Sequence, residues 1–549
     1  MPKGTHRMRT MIPLFAWMVA ALAVGLAPAA DLLPAEKSVE EAIDHYVEAR
    51  LGQAAVSAAP QADDANLLRR TMLDLAGRIP TAAEAKAYVG DQDANKRAAL
   101  VERLIASPAF VRQQAAEFDA LLMRGTKANL REYLAEAFEE NRSWDKMFRE
   151  MLLGQSDDPQ QKGAIGFVKS RIKDADALTN DASVLFFGVN VSCAKCHDHP
   201  LVSDWTQEHY FGMKSFFNRT YEAGNFIGEK EYGLVDYKTV GGEARTARLM
   251  FLTGEVLVEP ESKEPSDEEK KKDRERKNKK EDKDRKEPPP PPGYSRRAQL
   301  VEAALKPGAD RFFSRAVVNH LWNRFYGRGL VMPVDQMHSE NAASHPELLE
   351  WLARDLQTHG YDLRRLVRGI VLSRAYARTS QWDSADKRPA EDLFAVAMVR
   401  PLAPWQYGAS LRLGSTNPDE FPATLSAEQF DQKMQSIENA GRSLASSLEV
   451  PSEDFQVSVD EALLLSNSDK IAKDLLREGN DSLLAKLTKL TDRREIAEAA
   501  IWNITARAPA EDEVKAMSDY LAARENRLDH ACGQMVWALL TSAECRFNY

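Results

Sequence analysis

The stretch Ser192-Cys193-Ala194-Lys195-Cys196-His197-Asp198-His199-Pro200 holds two of the chain's four cysteines and two of its ten histidines. Thiolates and imidazoles are nucleophiles and metal ligands, so their spacing decides which chemistry they can share. Cys193, Cys196 and His197 form C-x-x-C-H, the attachment pattern of c-type haem. Two thiols three residues apart on one turn can form thioethers to the two vinyl groups, and the next residue then brings an imidazole to the iron. A zinc site is a second reading, with Cys193, Cys196, His199 and His209 in the order C-x-x-C-x-x-H-x9-H suited to tetrahedral nitrogen and sulfur ligation. A Cys193–Cys196 disulfide, or a packed loop whose histidines only hydrogen-bond, needs no cofactor. All three readings stay open.

A haem leaves its second axial position to be filled or left vacant. His199 sits too close to His197 to reach the opposite face, which leaves His209, Met213, His320, His338 and His345. His320 lies on an apolar helical stripe and reads first as a buried, hydrogen-bonded core histidine. The aromatic run Trp205, Tyr210, Phe211, Phe216 and Phe217 could wall a cofactor, but such a run is more often core.

The compartment follows from the N-terminus. Lys3, Arg7 and Arg9 precede an uncharged apolar stretch from Met11 to about Ala27, which ends in Ala27-Pro28-Ala29. That order predicts a secretory signal peptide over 1–30, with an uncleaved anchor as the alternative, and an exported protein of the periplasm or cell surface. No later stretch is long and apolar enough to span a bilayer, so no membrane span is expected after signal cleavage. The net charge of −10 supplies no whole-chain field for nucleic acid, and no nucleic-acid partner is expected.

Helical periodicity dominates on both sides of a break. Stripes run through Val39, Ile43 and Val47, through Leu67, Leu68, Met72 and Leu75, and through Leu100, Val101, Leu104 and Ile105, where Ser107-Pro108 stops the run. Further helices are predicted around 130–138 and 147–153. From about Asn218 glycines punctuate short runs rich in Tyr, Val and Thr, including 234–240 and 248–258, which predicts a small β element. Between Glu261 and Glu287 there are twelve Lys or Arg and eleven Asp or Glu, followed by five prolines. Such a segment cannot bury enough apolar surface to offset its ordering entropy. Helices resume at Phe312 to Leu321, ended by Gly327 and Gly329, then at Leu348 to Leu356, where Ser344 and Glu347 predict a capping box and Gly360 a stop, then at Leu363 to Val371.

The fold class expected is mainly α, with two helical domains separated by a small β element and a disordered charged linker. The divisions are a signal peptide over 1–30, a helical domain with the C-x-x-C-H over 31–217, the β element over 218–260, the linker over 261–297 and a helical C-terminal domain over 298–549. Near the end, apolar residues from Leu528 to Leu540 form another helical stripe. A helix there separates Cys532 from Cys545 by about 15–20 Å, well beyond the roughly 7 Å a disulfide allows. Cys532 therefore reads as a small core residue.

Longer phrases carry a family resemblance. The segment from Asp181 through the Cys/His cluster to His209-Tyr210-Phe211 and Ser215-Phe216-Phe217, with Arg69 to Pro80 and Leu104 to Pro108 upstream, resembles the planctomycete cytochrome-type domain of unknown function. Phe313 to Trp322, Phe325 to Val331, Ser344 to Leu349, Val536 to Leu540 and Arg546-Phe547-Asn548 resemble its usual partner, the planctomycete-specific C-terminal domain. The resemblance implies an exported protein often found alongside secreted sulfatase-like proteins, which become candidate partners together with a redox partner. Its cytochrome label rests on the same C-x-x-C-H. Tyr549 stands where that family often has His, Cys545 where an aromatic is usual, and the charged linker is unusually long.

No G-x-S-x-G elbow, Walker loop, dinucleotide fingerprint or H-E-x-x-H is present, so no hydrolase or nucleotide-binding activity is indicated and no catalytic residue is assigned. The leading expectation is covalent haem c at Cys193, Cys196 and His197 in extracytoplasmic electron transfer. The alternative is a non-enzymatic scaffold whose cluster is a structural zinc site or a disulfide.

Overall fold

A computed structural model describes residues 32–549 apart from 155–157, 200–201, 262–263, 278–284, 286, 310, 423, 449 and 452–458. The expected signal peptide over 1–30 lies outside the described residues. Helices form where the apolar stripes run: Val39–Ala54, Asp64–Ala76, Lys96–Ile105, Arg131–Glu139 and Trp144–Leu153. Their starts have local causes. Ser38 and Glu41 form a capping box, and the Asp63 carboxylate accepts the Asn66 N–H at 2.9 Å. Ser107-Pro108 both ends one helix and opens the next, Pro108–Leu122, because a proline in the first turn forfeits no helical hydrogen bond.

Beyond the linker come Arg311–Tyr326, Pro346–Thr358 and Leu363–Leu372. Gly327 and Gly360 follow the first two with φ of +80° and +64°, a left-handed backbone that glycine adopts at no steric cost. The capping box expected from Ser344 and Glu347 does not form. Pro346 takes the first helical position, His345 becomes the N-cap, and Ser344 Oγ bonds His345 Nδ1 at 3.1 Å instead.

The β element is two antiparallel hairpins, Thr220–Ala223 with Phe226–Glu229 and Asp236–Lys238 with Ala244–Thr246. The run 248–258 contributes an isolated bridge between Met250 and Val256 rather than a strand. Among the described residues of the segment expected to be a disordered linker, Asp267–Lys277 is helical. Ser266 and Glu269 cap it reciprocally, and its Glu and Lys residues are good helix formers whose opposite charges fall three and four apart.

The molecule is mainly helical, as its periodicity predicts, and the two helical parts share a core in space. Phe313 from beyond the linker meets Phe148 at a ring-centroid distance of 4.7 Å and stacks on Trp144 at 5.9 Å. Such aromatic pairs contribute about 0.5–1.5 kcal/mol each beyond their buried area. A second core begins at Leu402, gathers Pro404–Gly414, Arg493–Ile504 and Leu528–Leu540, and takes Leu73 and Ile79 from the opening helices. Cys532 is buried there as expected, and so is Cys545; both are free, and burial pushes both thiols up to about 11. No described helix is long and apolar enough to cross a membrane.

Candidate functional site

Helix Ala175–Phe187 delivers the chain to the Cys/His motif and ends at Gly188, φ +67°, where a Cβ would lie 2.8 Å from Met337 Sδ. The turn passes Val189 into a bridge with Gln336, and Asn190 N–H donates to the Asp335 carbonyl at 2.8 Å. The start of the motif is therefore laid against the segment before His338. Asn190 Oδ1 then accepts from Ser192 N–H and Oγ, which opens the short 3-10 helix Ser192–Lys195. Val191 and Ala194 point into the core, whereas Cys193 and Cys196 face outward as free, exposed thiols.

The second half of the motif is clasped by helix Gln207–Phe217. Asp198 Oδ1 accepts the Gln207 N–H at 2.8 Å, placing a carboxylate at the positive end of that helix. The Gln207 side chain returns a bond to the Cys196 carbonyl at 3.1 Å. Beneath the loop, the Asp176 carboxylate takes Lys195 Nζ at 2.8 Å, Lys214 Nζ at 2.6 Å and the Tyr210 hydroxyl at 2.6 Å. Partial burial pushes this carboxyl up, but those three partners outweigh it and hold it well below the usual carboxylate range. Spacing does not mark Asp176 or Gln207 as site residues, because their partners are set by folding, and Tyr210, named only in the aromatic run, serves here through its hydroxyl.

His197 is exposed, and its Nδ1 lies 2.7 Å from the Asp198 carbonyl oxygen. A carbonyl only accepts, so Nδ1 carries the proton and the neutral ring keeps its free lone pair on Nε2. Iron and zinc histidine ligands are oriented in just this way, by a hydrogen bond from the other ring nitrogen. Two unpaired exposed thiols beside an imidazole with an uncommitted Nε2 fit covalent haem attachment, with thioethers from Cys193 and Cys196 and His197 as the iron ligand.

The zinc set is differently placed. Among the described residues no three His, Cys, Asp or Glu side chains gather where a metal ion could sit. His209 is committed to capping, with Nδ1 accepting the Thr206 N–H at 3.3 Å, so its neutral ring carries the proton on Nε2. Burial lowers its pKa and favours that neutral form. His199 donates its backbone N–H to the Trp205 carbonyl at 2.8 Å, and its ring lies 6.4 Å from that of His338. Of the aromatic run, Tyr210, Phe216 and Phe217 are core, while Trp205 forms one wall of a cleft of about 370 Å³ shared with Phe312, Met337, His338 and Leu349.

Residues 42–222 match the family model PSCyt2, a protein of unknown function (DUF1549), and residues 296–521 match PSD1, a protein of unknown function (DUF1553). No curated protein and no solved structure matches the chain.

Proposed function

Since the chain belongs to the PSCyt2 family over 42–222 and to PSD1 over 296–521, we propose that it is an exported protein carrying one c-type haem at Cys193, Cys196 and His197 and passing electrons outside the cytoplasm. The observation that supports this most is the His197 ring, whose Nδ1 proton is held by the Asp198 carbonyl so that Nε2 is left for iron, directly after two exposed thiols. Bound there, the haem supplies one-electron redox chemistry. The chain's own part is to orient the imidazole and to hold the loop against Gln207–Phe217 through Asp198 and Gln207. The Lys195 charge between the thiols is balanced by Asp176. Export accounts for where such a group is attached, and a redox protein of the periplasm or cell surface is the partner class.

The test is protein purified from its native host, or from a cell with a c-type maturation system. A pyridine haemochrome spectrum together with an intact-mass increase of one haem is the expected result. A colourless protein without the increment overturns the reading, and stoichiometric zinc in that preparation would favour a structural role for the cluster.

A further inference from the structure

The helices Asp469–Leu475, Leu483–Leu487 and Leu528–Leu540 enter the second core through Leu475, Leu483, Leu487 and Cys532. Outside that core they border an open cleft of about 760 Å³. Small-molecule sites occupy about 300–1,000 Å³ and combine apolar walls with a few placed polar groups. Here Leu476, Leu484 and Trp537 form the apolar wall, each partly buried against the core. Asp529 and Glu478 bring carboxylates to the same cleft, and no Lys or Arg lines it.

The charge of those carboxylates is left uncompensated. Neither has an ion-pair partner among the described residues. Arg477, beside Glu478 in sequence, turns instead to Asp481 at 2.9 Å, and Lys486 turns to Asp419 at 2.7 Å. The loop that carries Glu478 is also fixed from behind. Asn417 donates its N–H to the Asp481 carbonyl at 2.8 Å and its side-chain amide to the Asn480 carbonyl at 3.0 Å. The rim therefore keeps its shape without a ligand, so little ordering entropy is lost on binding.

Gly533 gives an independent sign that the space is kept open. It lies within helix Leu528–Leu540, where glycine is less favourable than any residue but proline. No close packing accounts for it, since a Cβ at Gly533 would meet nothing within 4 Å although the residue is buried. Gly533 lines the cleft, and its missing side chain leaves that part of the lining bare.

We propose that this cleft binds a small alkylammonium ion. Its charged head is neutralised by Asp529 and Glu478 and attracted to the indole of Trp537, the aromatic ring that favours cations most. Its apolar stem covers Leu476, Leu484 and the bare stretch at Gly533. The reading is independent of the haem.

The experiment titrates the full chain calorimetrically at pH 8 and low ionic strength with three probes of one length: hexylamine, hexanol and hexanoate. The amine should bind about tenfold more tightly than the alcohol, from two part-exposed ion pairs and one cation–π contact, and the carboxylate most weakly. Equal affinity for amine and alcohol, or no binding of the amine at millimolar concentration, overturns the proposal without any variant having to fold. The double variant Asp529→Asn, Glu478→Gln should bind amine and alcohol alike, and a retained preference would place the cation elsewhere. Gly533→Leu fills the cleft and removes a helical glycine, so it should melt no lower than the wild type and bind neither. A folded Gly533→Leu that still binds the amine also overturns the site. His530→Gln, which removes the one lining side chain able to turn cationic, should leave amine binding intact, and its loss would show that His530 rather than the carboxylates holds the probe.

Discussion

Lys195, in the spacer between the two exposed cysteines, holds its ammonium 2.8 Å from Asp176, on the helix that precedes the motif. Asp176 also receives Lys214 and the Tyr210 hydroxyl, so one carboxylate ties the loop to two helices. Asp176→Asn keeps the shape but leaves two ammonium groups without their counter-ion. Its partners are partly solvated, so the expected loss is about 1 kcal/mol of unfolding free energy at pH 7. The folded carboxyl is held below its unfolded value, so this contribution is present above about pH 4 and fades as the pH falls further. Urea titrations of both proteins at pH 7 and pH 3 check it; a gap that widens toward pH 3 would refute the account.

Asp74 is the buried counterpart of that hub. Its carboxylate accepts Tyr376 Oη at 2.7 Å, Arg400 at 2.8 Å and Asn548 Nδ2 at 3.0 Å, while Arg69 and Arg70 on the same helix bond the carbonyls of Glu544, Phe547 and Tyr549. Asp74→Ala leaves Arg400 without its ion-pair partner in the interior, which costs about 3–5 kcal/mol. Because Asn548 loses its anchor too, limited proteolysis should remove the last residues of the variant before those of the wild type. Equal cleavage rates would mean that the two arginines hold the chain end without Asp74.

The elements were legible where their causes are local. Apolar stripes and caps placed most of the early helices, and the adjacent Cys193, Cys196 and His197 needed no tertiary knowledge. The Ser344/Glu347 expectation failed because Pro346 in the first turn moved the cap by one residue. A segment whose composition predicts disorder holds a helix because the same Lys and Glu residues that keep it out of a core also favour helical backbone. What surrounds the motif was not legible. Asp176 and Gln207 look like ordinary surface residues in sequence, and nothing in the spacing says that Val189 pairs with Gln336. Long-range pairing leaves no trace in spacing.

His345 should impose a pH dependence of its own. Burial, reinforced by the charges of Arg50 and Arg378, pushes its pKa down to about 4, so the folded protein keeps it neutral where the unfolded chain protonates it. The unfolded state then binds more protons between about pH 6.5 and pH 4, and stability falls as the pH drops through that window. The contribution is about 3 kcal/mol at 1.36 kcal/mol per unit. His345→Gln should remove that part of the slope, while burial of His320 and His209 in the same sense keeps a residual one. Unfolding free energies at half-unit steps from pH 7.5 to pH 4 compare the two curves; parallel curves would discard His345 as the cause.

Gly408 and Gly441 let two helices of the C-terminal core, Pro404–Gly414 and Ala427–Ala445, approach backbone to backbone. A Cβ on Gly408 would lie 2.3 Å from the Gly441 carbonyl oxygen, and one on Gly441 would lie 2.5 Å from the Ala409 nitrogen. Alanine at either position gains about 1 kcal/mol of helix propensity over glycine. The clash is with backbone, so no side chain can rotate away and the two helices must separate, at about 1–3 kcal/mol or more. The overlap therefore outweighs the propensity, and Gly441→Ala should destabilise the protein. Gly52→Ala is the control, since a Cβ there meets nothing within 4 Å and the same propensity gain is unopposed. Thermal melts of the two variants should move in opposite directions, and a Gly441→Ala melt at or above the wild type would show that the helices have room to part.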